Sequence, residues 1–233
     1  YAIQAASIER WPDELAGWKV AMLSAADRDR FSVPRLVGPV FKSVVHVVEP
    51  GSRTVMPVYA GGFAAVEAEF VIELGTAVPP TGREFTDAEL IDHIAEVYAG
   101  AEIASSPMAV VNERGPTSVA SDFGNNAGIL IGPKVPDWRD TLPEFLTATV
   151  TVDGVTAGSR PVDAITGGPL QALRCLIDVS AGRGIEIPQG AIVSSGAITG
   201  VHEVALSSVA RVDFGPLGWF DVTFEPRAPL RKE

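Results

Sequence analysis

Two glutamates, Glu67 and Glu69, stand one residue apart at the start of the apolar run Phe70-Val71-Ile72. Side chains at positions i and i+2 of a strand point to the same face, so a strand here directs both carboxylates to one place. Like charges held together repel unless a cation lies between them, and a hard divalent metal is the usual cation. The alternative is that both glutamates lie on the solvated face of an amphipathic strand.

A metal site needs more than two carboxylates, and Glu102 is the candidate third ligand. It stands in the segment Ala101-Glu102-Ile103-Ala104, and a charge framed by small and apolar residues is typical of a buried ligand. Asp122 is the rival third ligand. Three carboxylates completed by waters suit Mg²⁺ or Mn²⁺, which prefer oxygen ligands and octahedral geometry.

Composition limits the partners that the chain can have. At 233 residues it is predicted to form a single domain over 1–233, and the first residue, Tyr1, suggests that further residues precede it. The formal net charge of −11 and the pI of about 4.7 argue against a nucleic acid or an anionic membrane as partner. The single cysteine, Cys175, excludes an intrachain disulfide framework, and no apolar run reaches membrane-spanning length. We therefore expect a cytoplasmic protein, and the positive mean hydropathy favours a homo-oligomer.

The pattern of strands and helices predicts a sheet-rich chain whose first third is mostly extended. Thr86-Asp87-Ala88-Glu89 is a capping box, and the apolar residues that follow predict one helical face that continues to Gly100. A second helix is predicted from Pro169 to near Gly182 or Gly184. Strands are predicted at 17–23, 43–48, 54–59, 191–195, 209–214 and 219–224, with a hairpin around Asp153-Gly154.

The sequence contains three further motifs, one before the two glutamates and two after them. Lys19 lies in the strand Gly17-Trp18-Lys19-Val20, Asp122 and Asn125 lie in the loop 121–128, and Thr199 lies in the segment 195–202. Together with the Glu-x-Glu strand, these motifs resemble the fumarylacetoacetate hydrolase superfamily over nearly the whole chain. The resemblance is to the branch of 2-keto-4-pentenoate hydratase and 4-oxalocrotonate decarboxylase.

The resemblance implies an α+β fold, a mixed β-roll with a few helices, and a metal held by Glu67, Glu69 and Glu102. It also implies a small 2-oxo acid as substrate, with Asp122, Asn125 and Thr199 as substrate-binding residues. The implied activity is a lyase, a metal-dependent hydratase that stabilises an enolate and adds water to a conjugated double bond. Lys19 would move the proton or pair with the substrate carboxylate.

Three alternatives stay open. A decarboxylase of a 4-oxalocrotonate-like acid would use the same enolate chemistry. A hydrolase that cleaves the C–C bond of an acylpyruvate would need a group to activate water, for which His202 is the candidate. A non-catalytic acid-binding relative is more distant. The chain also departs from the hydratase pattern, because Pro107 stands in place of an arginine and Gly168 in place of a histidine.

Overall fold

Strands form most of the regular structure, as the sequence predicts. The structure, a computed structural model, describes residues 1–31, 33–139, 146–164 and 168–228. Its helices are α1 (Ala2–Ile8), α2 (Ala25–Phe31), α3 (Asp87–His93), α4 (Pro116–Ser121) and α5 (Gly168–Gly182). Its strands are β1 (Leu15–Met22), β2 (Arg35–Phe41), β3 (Val45–Val47), β4 (Arg53–Val58), β5 (Phe63–Leu74), β6 (Ile94–Ser106), β7 (Asn126–Lys134), β8 (Thr147–Val152), β9 (Val155–Pro161), β10 (Ile192–Ser194), β11 (His202–Glu203), β12 (Val209–Asp213) and β13 (Trp219–Pro226).

The described strands belong to two sheets. The larger sheet has the order β2-β1-β10-β5-β6-β7-β3, and β11 also pairs with β5. The smaller sheet has the order β4-β13-β12-β8-β9. Antiparallel pairs predominate, while β1–β10, β3–β7 and β4–β13 are parallel. This mixed, sheet-rich α+β architecture is the fold class that the sequence predicts.

Strand β5 lies in the middle of the larger sheet and separates two environments. Its side chains at even-numbered positions, such as Val66 and Phe70, belong to the main core, which also takes in β12, β13 and helix α5. At odd-numbered positions, Ala65 and Val71 belong to two smaller apolar clusters on the opposite face. Glu67 and Glu69 occupy the positions between these clusters. Alternation along one buried strand therefore places carboxylates inside the protein, away from the main core.

Helix α3 begins as predicted but ends much earlier. The Thr86 hydroxyl accepts a hydrogen bond from the Glu89 N–H, and the Glu89 carboxylate accepts one from the Thr86 N–H. The predicted capping box is therefore confirmed. The predicted continuation to Gly100 is wrong, because Ile94 is already extended and opens β6. Ile94 and Val97 are three residues apart, which matches the helical period, so the pattern favoured a helix. In the strand both side chains reach the main core because the ladder with β5 shifts register between Ile94 and Glu96.

Most other predicted elements are confirmed. Helix α5 ends at Gly182, β8 and β9 form the predicted hairpin, and the C-terminal strands lie where alternation placed them. Two helices, α1 and α2, lie in the first third, which was predicted to be mostly extended. Of the helices that the structure describes, none is long and apolar enough to cross a membrane.

Candidate metal centre

The site is built on one register pair in the larger sheet. Glu67 on β5 is the direct cross-strand partner of Glu102 on β6, and Glu69 follows Glu67 on the same face. Directly opposite residues of an antiparallel pair have neighbouring Cβ atoms, so the three carboxylates converge. Each offers an oxygen within 4.8 Å of the others, and their residues are 6%, 1% and 0% exposed. Glu102 lies well inside β6, because that strand begins at Ile94, within the segment where a helix was predicted.

Two turns orient these carboxylates. Glu69 Oε2 accepts two hydrogen bonds, one from the Ser194 hydroxyl and one from the Gly196 N–H at 2.9 Å. Gly196 has φ +97°, and a Cβ there would lie 2.9 Å from the Arg35 Nη1, so the turn requires glycine. Asn126, the first residue of β7, donates from Nδ2 to Glu102 Oε1 at 3.0 Å. One oxygen of Glu69 and one oxygen of Glu102 are thus held by hydrogen bonds.

The other oxygens of these two carboxylates differ in their partners. Glu69 Oε1 is buried and accepts no hydrogen bond from the described residues, whereas the buried Glu102 Oε2 has the Lys19 ammonium 3.2 Å away. A buried acceptor without a donor is costly, and a buried charge more so. Burial and the negative charge of Glu102 raise the pKa of Glu67 to about 7. Burial, together with the charges of Glu102 and Glu67, raises the pKa of Glu69 well above its ordinary value.

Lys19 is the cation of this group. Its residue is 4% exposed, and its Nζ lies 3.2 Å from Glu102 Oε2. Burial by itself lowers the pKa of the Lys19 ammonium, but the three carboxylates outweigh it and raise the pKa above its ordinary value. Lys19 is therefore held as an ammonium. Its stem packs on Gly124, where φ is +71° and a Cβ would lie 2.8 Å from Lys19 Cδ.

A cavity of about 410 Å³ opens onto this group. Lys19 and Glu67 line it from the sheet, while Asn112 and Asn125 line another part of its wall. The turn at 196–201 contributes Gly196, Ala197, Ile198, Gly200 and Val201. Cavities of this size accommodate small organic molecules, and this one combines an apolar lining with a few polar groups.

Comparison with solved structures identifies the fold. A 4-oxalocrotonate decarboxylase from Pseudomonas putida G7, complexed with magnesium and adipate, superposes with a TM-score of 0.76 at 21% identity, covering 96% of this chain and 82% of that one. A fumarylpyruvate hydrolase from Pseudomonas aeruginosa, in complex with Mn²⁺ and pyruvate, gives 0.65 at 16% identity, covering 93% and 91%. A 5-carboxymethyl-2-hydroxymuconate delta-isomerase from Mycobacterium smegmatis gives 0.58 at 14% identity, covering 93% and 82%.

The chain has the fumarylacetoacetate hydrolase fold. This finding confirms, at the level of fold, the resemblance drawn from the order of the motifs. No protein-family model matches the sequence, and no curated protein matches it.

The residues present fit a divalent metal within this fumarylacetoacetate hydrolase fold. The three carboxylates lie against a single cation, Lys19, and Glu69 Oε1 is buried without a donor. A divalent cation bound between the carboxylates would supply a partner for that oxygen and most of the missing positive charge. Oxygen-only donors favour Mg²⁺ or Mn²⁺ over zinc.

The fold brings together some of the residues singled out from sequence and separates others. Lys19, Glu67 and Asn125 line the cavity, and Glu69 and Glu102 complete the carboxylate group behind it. Asp122 is not among the lining residues; it borders a small neighbouring cavity of about 20 Å³. The rival assignment of Asp122 as third ligand is not supported by this geometry.

Thr199 and His202 lie on the other side of the sheet from the carboxylates. His202 pairs with Val66 of β5, whose side chain belongs to the main core. Its Nε2 lies 3.0 Å from Thr199 Oγ1, and a Cβ at Gly158 of the smaller sheet would lie 2.6 Å from its ring. Neither residue lines the cavity. The two side chains satisfy each other instead.

Sequence reasoning missed three residues that hold the site in place: Asn126, Ser194 and Arg35. Asn126 and Ser194 were inside or beside recognised motifs, but only the register shows that their side chains reach Glu102 and Glu69. The buried Arg35 lines the cavity and donates from Nη1 to the Ser195 carbonyl at 2.9 Å, which supports the turn at Gly196. An arginine after a proline carries no signal of this role.

Proposed function

We propose that the chain is a divalent-metal-dependent hydratase, a hydro-lyase that adds water to a 2-hydroxydienoate or 2-oxo-enoate of the 2-keto-4-pentenoate type. The observation that carries the proposal is the buried group of three carboxylates with Lys19 at the wall of a cavity of about 410 Å³. A scaffold has no reason to keep three converging carboxylates without a cation. The proposed metal is Mg²⁺ or Mn²⁺, held by Glu67, Glu69 and Glu102.

Different residues of the chain would have different roles in the proposed reaction. When bound, the metal supplies a Lewis acid that polarises the oxygens of a 2-oxo acid. Lys19, whose Nζ lies 3.2 Å from Glu102 Oε2, would move a proton or pair with the substrate carboxylate. Asn126 and the turn at Gly196 hold the carboxylates in position. Leu23, Leu36 and Ile198 contribute apolar side chains to the cavity wall.

A decarboxylase of a 4-oxalocrotonate-like acid is the second candidate. The superposition with the decarboxylase from Pseudomonas putida G7 favours it, although identity of 21% transfers the fold and not the substrate. Cleavage of an acylpyruvate is less well supported. It needs a general base within reach of the carbonyl that is attacked, and His202 lies on the other side of the sheet from the carboxylates.

One spectrophotometric screen tests the proposal. Purified protein is loaded with Mg²⁺ or Mn²⁺ and assayed with 2-hydroxypenta-2,4-dienoate, 4-oxalocrotonate and an acylpyruvate. We expect turnover of the dienoate, and none in a matched Glu69→Gln protein. Turnover of 4-oxalocrotonate alone would make the decarboxylase the better proposal. If the metal-loaded protein turned over none of the three substrates, the proposed metal-dependent chemistry on 2-oxo acids would be contradicted.

A further inference from the structure

Arg160 is a cation at the cavity wall that the proposed reaction does not use. It is exposed and lies on β9, the edge strand of the smaller sheet. The charged residues that line the cavity are Lys19, Asp27, Arg35, Glu67 and Arg160. Lys19 has Glu102 as its partner, and Arg35 donates to the Ser195 carbonyl. Within residues 1–31, 33–139, 146–164 and 168–228, no carboxylate forms an ion pair with Arg160.

Strand register directs the Arg160 side chain towards the cavity. Arg160 is the cross-strand partner of Ala148, which is buried in the main core. Directly opposite residues point to the same face, so the arginine leaves β9 on the face that packs towards the larger sheet. Gly158 lies on that face two residues earlier, and a Cβ there would lie 2.8 Å from the Thr199 carbonyl oxygen. Strand β9 therefore runs beside the turn at 196–201, which lines the cavity together with Arg160.

The chemistry of the wall indicates what Arg160 can bind. A guanidinium pairs best with a carboxylate, to which it donates charge-assisted and often bidentate hydrogen bonds. The candidate metal ligands stand on β5 and β6 of the larger sheet, whereas Arg160 stands on the smaller sheet, so two separate walls of the cavity attract anions. Apolar side chains, among them Leu23, Leu36 and Ile198, also line the cavity. This combination suits a carbon chain with an anionic group at each end.

We propose that Arg160 binds a second carboxylate, at the far end of the carbon chain of the bound 2-oxo acid, so that the substrate is a 2-oxo diacid. The inference rests on the proposed function and deepens it, because it assigns the end of the substrate chain and leaves the metal-dependent step as proposed. Arg160 distinguishes chains that end in a carboxylate from chains that end in a methyl group. A local cation is needed for this, because a protein with a net charge of −11 repels a dianion.

An inward-pointing charge on an edge strand can also serve to prevent pairing with the edge of another sheet. That role would leave the selectivity for ligands unchanged when Arg160 is replaced. Selectivity between matched acids is therefore the measurement that separates the two roles of Arg160.

Calorimetric titration of the Mg²⁺-loaded full chain with pairs of acids provides this measurement. The diacids 2-oxopentanedioate, 2-oxohexanedioate and 2-oxoheptanedioate are compared with 2-oxopentanoate, 2-oxohexanoate and 2-oxoheptanoate, and the members of each pair differ in the terminal group alone. In at least one pair we expect the diacid to bind about fivefold more tightly, which is the size that an ion pair with an exposed arginine provides. The ratio of the two dissociation constants should shrink as the ionic strength rises from about 0.01 M to about 1 M, because salt screens this pair.

Three variants assign the preference to one side chain. Arg160→Gln removes the charge, and the ratio should fall to about one. Arg160→Lys restores a positive charge without the planar fork and should recover part of the preference. Arg10→Gln is the matched control, because Arg10 is also exposed, does not line the cavity and changes the net charge by the same amount. Its ratio should match that of the wild type.

The outcomes separate this inference from the proposed function. Equal binding within every pair by the wild type, or a preference that survives in Arg160→Gln, would overturn the inference and leave the hydratase proposal to its turnover screen. A preference lost equally in Arg10→Gln would overturn it too, because net charge and not Arg160 would then set the selectivity. If the metal-loaded protein bound none of the six acids, the proposed function would be contradicted as well.

Discussion

Glu67 and Glu102 are direct partners in the ladder between β5 and β6, and their side chains are buried on the same face of the sheet. Two carboxylates in this relationship destabilise a sheet unless something neutralises them. Lys19 neutralises one charge, since its Nζ lies 3.2 Å from Glu102 Oε2. The rest of the charge is the reason to expect a metal, and the predictions below follow from it.

Loss of a carboxylate should abolish metal binding. We expect Glu67→Gln and Glu69→Gln to bind Mg²⁺ and Mn²⁺ far more weakly by calorimetry, because each removes a charged ligand. At a metal concentration of a hundred Kd, wild-type protein should gain ~2.7 kcal/mol of unfolding free energy and the variants little. Glu73→Gln is the matched control, since Glu73 lies on the same strand outside the group. Unchanged metal affinity in both variants would remove the proposed site.

Lys19→Met should separate binding from chemistry. If the ammonium donates the proton, kcat should fall by roughly 10² to 10⁴ while the metal and oxalate, a planar mimic of a 2-oxo acid, still bind. If Lys19 only pairs with the substrate carboxylate, KM should rise instead. Lys42→Met is the control, because Lys42 is a surface residue paired with Glu14. Steady-state kinetics that match the wild type would show that Lys19 has neither role.

Asn126→Ala should weaken the metal site without removing a ligand. The Asn126 amide donates a hydrogen bond to Glu102 Oε1 at 3.0 Å. Loss of a hydrogen bond that orients a metal ligand typically lowers metal affinity about 10- to 100-fold, and we expect Asn126→Ala to lower the affinity by about that factor. The measurement is calorimetric titration with Mn²⁺, and Asn112→Ala should leave the affinity unchanged. An Asn126→Ala protein with wild-type affinity would show that the hydrogen bond does not position Glu102.

His202→Ala should have a small effect. The imidazole contacts Thr199 and lies on the other side of the sheet from the carboxylates, so kcat for dienoate hydration should fall by less than about tenfold. Acylpyruvates should not turn over in either protein. Rapid acylpyruvate cleavage by the wild type that collapses in His202→Ala would favour the hydrolase instead.

The metal-free protein should lose stability as the pH rises from about 5 to about 7.5. Burial raises the pKa of Glu67 from 4.5 to about 7, so the folded protein holds a proton through this range that the unfolded chain releases. Stability from this group is present below pH 4.5 and lost as the pH rises through about 7. Thermal unfolding after treatment with a chelator measures it, and Glu67→Gln should flatten the dependence. Bound metal should stabilise more at the upper end, where protons no longer compete.

Features that depend on residues close together in the sequence could be predicted, and features that depend on pairing between distant strands could not. Alternation within one strand is local, so it predicted that Glu67 and Glu69 share a face. The capping box at Thr86 is local too, and it was confirmed. The apolar positions 94 and 97 have helical spacing, so the continuation of α3 was predicted wrongly. Only the ladder with β5 shows a strand there, with a shift of register between Ile94 and Glu96.

The sequence by itself determined the donor set of the candidate site, three carboxylates and one lysine, and the motif order that indicates the fold. Only the tertiary structure decided which side chains meet. The pairing of Glu67 with Glu102, the contact of Asn126 with Glu102 and the position of His202 opposite Val66 all depend on strand register. A shift of one residue in register would turn every side chain to the other face, and register is set by contacts between distant segments that no local pattern contains.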